Sequence, residues 1–539
     1  MMANLKLMSM RTRMLTLICL LAATPCWSRV LLRWSQPSIP APATMGVTEL
    51  VVTWDNAELI TSARRRGYRV YAEVPVGKPA DLAHSTAKNS LAGIIFNPGD
   101  AQPREVDEEL GQLRSAYPHL PVLLLNPKAN QPQMKGQLVI KKDGILQVTS
   151  PTAQPWIDSN LALVRFDQAF RPVQAPLYEF HWDVSDSQQP EGSPAPEDYA
   201  LAVAEAGAFH VDLVLGLPPA LQADLAQNSP AAQAVLIQIR RYLAFAARGE
   251  KNAAEPEANV GVITDSYQKS YEPTNLFARH NIPFAVLNAS DLKPQSLERF
   301  NLVVVFATPD DATIKMLVDF ASKGGVVVVV DAQGPYPWQS TQRVPAGEYS
   351  VAYATGKGRI IELQGQVTDP GTFAQDVRRL LDQDKDKLAL SLWNALTVVA
   401  VSYRSTGGGK LVELVNYAEE PISVQVRIQG SFSSIRYETP EQVCCESLTA
   451  TQRGAFTEFV VPSLRIAGRV HLAGRKPADH KAEGNENHAP PFCVLHCSAL
   501  SAAAPFREPG AQERFQEFLP HVRRHLYRPR EQGNLCVPL

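Results

Sequence analysis

The sequence predicts a three-part α/β protein: a (β/α)8 barrel, a flavodoxin-like doubly wound domain, and a small antiparallel β-sandwich. Three observations carry this. From residue 29 to 250, short β-branched runs alternate with helical stretches, as the βα units of a parallel sheet do. A second α/β pattern opens at Asn259–Thr264 and ends near residue 380, the compass of a doubly wound domain. From 388 to 474 the apolar period falls to two and no helical pattern intervenes, which is the signature of a sandwich. A chain of 539 residues has room for roughly three domains at 100–200 residues each.

The barrel strands are expected at Arg29–Trp34, Thr48–Trp54, Tyr68–Val74, Ala92–Phe96, Val122–Leu125, Leu161–Phe166, Leu177–Trp182 and Val211–Leu215. Helices fit Asn56–Arg66, closed by Gly67, then Pro79–Lys88, Glu105–Ala116 and Pro196–Ala206. Asp55 is placed to cap the first of these. Gln137–Ile140 and Ile145–Thr149 flank Asp143-Gly144, a hairpin signal. Alternation alone also suits an open sheet, but about eight strands is the number that closes a barrel.

After a polar linker at 251–258, the second domain (258–380) shows Asn259–Thr264, Phe284–Leu287, Leu302–Phe306 and Val326–Asp331 as strands. The helix Ala312–Ser322 stops at Gly324-Gly325. The sandwich strands are Leu396–Tyr403, Lys410–Asn416, Ile422–Ile428, Ser434–Tyr437 and Phe456–Val461. Residues 475–539 lack a periodic apolar face and are expected to be disordered.

Lys6, Arg11 and Arg13 precede an apolar run, Met14–Ala23, so residues 1–28 are expected to be a signal peptide and the protein exported to the periplasm or beyond. That run is far short of the roughly 20 residues needed to span a bilayer. The 52 Lys and Arg balance 54 Asp and Glu, which argues against nucleic-acid binding. No cysteine lies between Cys26 and Cys444, so the first two domains fold without disulfides or thiolate metal sites. Cys493, His496 and Cys497 do not have a metal-site spacing. No metal or cofactor is expected.

The order of parts resembles the multidomain extracellular glycoside hydrolases of the β-galactosidase type. Asn259–Asp331, opening with NVGVITDSY, is similar to their amidotransferase-like domain. Leu414–Leu472, with LVNYAEEPISVQVRIQG, is similar to their terminal sandwich. The resemblance implies a carbohydrate ligand or substrate and a structural or oligomerising second domain. An amidotransferase also needs a cysteine nucleophile, and the corresponding turn reads Ala307-Thr308-Pro309-Asp310.

Glycosidic bonds are cleaved between two carboxyl groups, which in a barrel sit at the C-terminal strand ends. By alternation, Glu179, His181 and Asp183 share one face of Leu177–Asp183, opposite Tyr178, Phe180 and Trp182. Glu179 and Asp183 are therefore catalytic candidates and His181 a binding candidate. The alternative for this face is a satisfied polar network that supports the barrel. Asp55 and Glu73 end their strands, and Trp54 and Trp182 are positioned to stack on sugar. The resembled enzymes place an Asn-Glu pair after the fourth strand. Here that turn is Asn97-Pro98-Gly99-Asp100, leaving Asp100 as the substitute or the barrel without hydrolysis. Two readings follow: a protein acting on oligo- or polysaccharide, or a non-catalytic descendant that binds carbohydrate or serves as a structural surface protein.

Overall fold

The computed structural model describes residues 28–474 except 79–90, 127–138, 143–144, 149–158, 173, 181–193, 250–254, 348–349, 383–387, 406–407, 419 and 443–444. All the described residues belong to one compact unit. Apart from Ser28, the expected signal peptide lies outside them, as do the tail from 475 and the helix expected at Pro79–Lys88.

The first sheet contains β1 (Val30–Arg33), β2 (Glu49–Thr53), β3 (Arg69–Pro75), β4 (Gly93–Asn97), β5 (Val122–Leu124), β8 (Leu177–Glu179) and β9 (Asp212–Gly216). The hairpin β6 (Val139–Lys142) and β7 (Ile145–Val148) stands apart. The order β5-β4-β3-β2-β1-β9-β8 is parallel throughout. The sheet nearly closes on itself. At the seam, Asn126 N–H donates to the Leu177 carbonyl at 2.9 Å. The Gln174 side-chain amide donates to Leu124 O and accepts from Leu124 N, each at 3.2 Å. One amide thus satisfies both backbone groups that an eighth strand would have paired.

The sheet has seven strands, not eight, because Leu161–Phe166 belongs to a helix, Leu161–Phe170. That helix is buried between the barrel and the second domain, with Leu161, Ala162, Leu163, Val164 and Phe166 all covered. A helix covered all round carries no amphipathic period, and its short apolar run reads as a strand. Alternation sorts the barrel side chains into two layers. Leu31, Val51, Tyr71, Ile95, Leu123, Leu177 and Val214 fill the interior. Leu32, Val52, Ala72, Phe96, Tyr178 and Leu215 pack outward in the larger core shared with the helices. Gly93 is an interior position where a Cβ would lie 2.8 Å from the Tyr71 ring, so its bare backbone admits that ring.

The second sheet runs β11-β10-β12-β13-β16-β15-β14, from β10 (Val260–Thr264), β11 (Phe284–Asn288), β12 (Leu302–Val305), β13 (Val326–Val329), β14 (Arg343–Val344), β15 (Ser350–Thr355) and β16 (Gly358–Leu363). Its first five members are parallel and follow the flavodoxin order. β15 and β14 extend it antiparallel. After β12, Asp310 accepts from Thr313 N at 2.8 Å and caps the helix Asp311–Ser322.

The sandwich pairs a four-stranded sheet, β17-β20-β24-β23, with a five-stranded one, β18-β19-β25-β21-β22. These are β17 (Leu390–Trp393), β18 (Val398–Arg404), β19 (Lys410–Asn416), β20 (Ile422–Gln429), β21 (Phe432–Glu438), β22 (Glu446–Ser447), β23 (Ala450–Arg453), β24 (Phe456–Leu464) and β25 (Ala467–Gly474). Val412, Val424, Val426, Val461 and Val470 are among the side chains that interdigitate between them.

Polar bonds fasten the sandwich to the barrel helices. Arg469, 1% exposed, pairs at 2.6 Å with Glu413 directly across the ladder and lies 4.4 Å over the Phe245 ring. The Tyr417 hydroxyl donates to Glu205, a fully buried residue of the helix Pro196–Phe209. Tyr403 donates to Ala208 O at 2.7 Å and stacks on His210 at 4.0 Å. Burial, reinforced by Arg165 and Arg469, pushes the His210 imidazole down to about 3.

Candidate functional site

On several barrel strands the interior face carries apolar side chains in its middle and polar ones toward its ends. Arg33 shares the face of Leu31, Glu73 that of Tyr71, Asn97 that of Ile95 and Glu179 that of Leu177. All four lie at C-terminal strand ends, where barrels carry their chemistry. They form one network. Arg33 grips Glu73 with two bonds, Nε to Oε2 at 2.8 Å and Nη2 to Oε1 at 2.9 Å. Its Nη1 donates to Glu179 Oε1. Asn97 Nδ2 adds a bond to Glu73 Oε1 at 2.7 Å, and Asn97 Oδ1 accepts from Gly99 N at 3.1 Å. Thr53 stands beside Glu73 in the ladder, on the same interior face and exposed.

Burial alone would lower the Arg33 pKa, but Glu73 and then Glu179 outweigh it and raise it above the ordinary arginine range. The guanidinium is therefore a fixed cation between two glutamates. The Glu73 oxygens receive three N–H bonds, and its side chain is 11% exposed. Glu179 is more open, with 23% of its side chain exposed and only Oε1 bonded among the described residues. Such a unit can accept hydrogen bonds from ligand hydroxyls. Two of the three bonds to Glu73 fall on Oε1 and one on Oε2, so its carboxyl is held in place and keeps acceptor capacity.

The structure brings together two of the expected site residues, Glu73 and Glu179. It keeps others apart from them. Asp100 is exposed in the turn after β4, three residues beyond Asn97, and shares no bond with the network. Asp55 is exposed in the turn after β2 and does not cap the next helix; Asn56 does, accepting from Leu59 N at 3.0 Å. Trp54 falls on the face of Val52 and packs half-buried against the outer core, so alternation points its ring toward the helices instead of the mouth. β8 ends at Glu179, and His181, Trp182 and Asp183 lie outside the described residues. Arg33 is the residue that sequence reasoning missed. Its signal was its place two residues after Leu31 on the expected first strand, Arg29–Trp34. Among the described residues no group of three His, Cys, Asp or Glu side chains is placed to hold a metal, and no helix is long and apolar enough to cross a membrane.

No protein-family model matches the sequence, and no curated protein sequence matches it at a significant level. Solved structures do share its fold. Alpha-L-fucosidase isoenzyme 2 from Paenibacillus thiaminolyticus is 11% identical, covers 84% of this chain and 100% of its own, and has a TM-score of 0.56. The beta-galactosidase from Rahnella sp. R3 is 10% identical, covers 78% of this chain and 95% of its own, and has a TM-score of 0.50. At 84% coverage the likeness extends well beyond the barrel region. The fold expected from the sequence is thus one shared with these two solved structures along most of the chain.

Proposed function

We propose that the protein is an exported carbohydrate-binding protein of glycoside-hydrolase architecture, and that it holds saccharide at the barrel mouth through Glu179, Glu73 and Arg33. One observation carries the reading: a single guanidinium bridges the two glutamates at the C-terminal strand ends. The cross-braced pair offers acceptors to sugar hydroxyls. Galacto- and fuco-oligosaccharides are the first ligands to try, since the fold neighbours bear the names of a fucosidase and a galactosidase. Calorimetry should detect binding, and Glu179→Gln should weaken it about tenfold through loss of charge-assisted hydrogen bonds. Absence of binding at millimolar sugar would sink the reading. For export, the mature protein recovered from a secreting host should begin near residue 29; an intact Met1 on soluble protein would refute it.

Hydrolysis is the second reading, favoured by the two strand-end glutamates facing one mouth. It needs one carboxyl to act as the acid, and Asp100 in the exposed turn after β4 is the candidate that the sequence offers beside Glu179. Release of 4-nitrophenol from aryl glycosides by the native protein, abolished in Glu179→Gln, would establish this reading over the first.

A further inference from the structure

We infer that the outward face of the four-stranded sandwich sheet, β17-β20-β24-β23, is a second saccharide-binding site that takes a neutral oligosaccharide segment. The inference rests on the carbohydrate reading for its ligand class and on separate residues for its site. An open groove of about 690 Å3 crosses this face. At one side stands Trp393, 46% exposed, at the end of β17. Nearly half of this large apolar side chain is left in contact with water. Ladder pairing fixes its surroundings: Gln425 lies directly across from Trp393, Val460 from Gln425, and Glu458 from Thr451. Arg453 Nε holds Glu458 Oε2 at 2.9 Å within the same groove.

The chemistry selects the occupant. The contact core of a protein partner is depleted in charge, but here Gln425 and the Arg453–Glu458 pair interrupt the apolar strip. A pyranose presents an apolar C–H face and a rim of hydroxyls, so it needs one flat ring to lie on and donors and acceptors beside it. Trp393 supplies the ring; Gln425, Thr451, Arg453 and Glu458 supply the rim. The groove sets Arg453 against Glu458 and Glu446, so it holds no uncompensated cation to favour an acidic polysaccharide. An open groove on a rigid sheet suits the interior of a chain more than its end.

Native gels cast with galactan, mannan or β-glucan test this on the full-length protein. At least one polysaccharide should retard it. Trp393→Ala should raise the apparent Kd about tenfold and Gln425→Ala about threefold, and both sites are exposed enough for the fold to persist. Trp393→Ala and Gln425→Ala should weaken retardation by the same factors in the native and the Glu179→Gln protein, so failure at the barrel mouth and failure here are distinguishable. Three results would each overturn the inference: no retardation by any of the three polymers, full retardation of Trp393→Ala, or a loss accompanied by dissociation of a dimer in light scattering, which would make a second copy the occupant.

Discussion

At the N-terminal end of the barrel two arginines meet two acids, while at the C-terminal end one arginine meets two. Arg29 binds Asp212 through its backbone N at 2.8 Å and Nε at 3.0 Å, and Arg69 binds Glu49 at 2.9 Å. The Tyr71 hydroxyl links the pairs, accepting from Arg29 at 3.3 Å and donating to Glu49 at 3.4 Å. Asp212 is 2% exposed. That end is charge-balanced and its two acids are covered, while the Arg29 and Arg69 side chains reach solvent. Among the described residues, the opposite end sets Glu73 and Glu179 against one arginine, Arg33, with about a quarter of the Arg33 and Glu179 side chains open to solvent. A surplus acceptor on an accessible surface gives a ligand something to bind. The same residue types therefore make a floor at one end and a receptor at the other, and the stoichiometry of charge distinguishes them.

The comparison breaks most decisively at the floor. Arg29→Met leaves Asp212 buried without its partner, and should cost about 3–5 kcal/mol in urea unfolding, with Asp212→Asn on the same chain recovering part of it. If Arg29→Met costs no more than an exposed ion pair, the floor is not structural. Acid should produce a comparable loss away from both ends, and it needs its own control. His210 is held neutral down to about 3 in the folded chain, whereas in the unfolded chain it takes a proton near 6.5. The unfolded state binds more protons in that window, so this contribution is complete above pH 6.5 and falls by on the order of 1.4 kcal/mol per unit toward pH 3. His210→Asn, which tolerates the left-handed backbone there (φ 59°), should flatten the dependence.

At the receptor end effects on stability should be smaller and effects on ligand larger. Arg33→Met unbraces two glutamates, but partial exposure screens them, so about 2 kcal/mol is expected together with loss of saccharide binding. Full binding by Arg33→Met would mean the clamp does not shape the site. Smallest is Asn97→Ala, which removes one bond to Glu73 and should cost about 1 kcal/mol in thermal or urea unfolding while leaving Arg33 in place.

Much of this was legible from period alone. Alternation in LYEFHW puts Glu179 on one face with Leu177, and Glu73 is legible as the carboxylate ending the third strand, Tyr68–Val74. What period could not reveal is pairing. Arg33 meets Glu73 and Glu179 from 40 and 146 residues away, and no local pattern marks one strand-end arginine as a bridge. Trp54 was misjudged because an aromatic at a strand end looks the same on either face, and only its offset from Val51 decides. Leu161–Phe170 was misjudged because contact on every side erases the helical stripe.

The bond from Tyr417 to Glu205 spans 212 residues, and this has a consequence for biosynthesis. During translation the helix Pro196–Phe209 emerges long before the strand that covers it. At 5–20 residues per second the ribosome needs about 10–40 s to supply Tyr417. Until then Glu205 and its apolar neighbours lack their final cover. The nascent barrel is therefore a client for holding factors over that interval, and slowing elongation between residues 250 and 410 should lengthen its exposure to proteases.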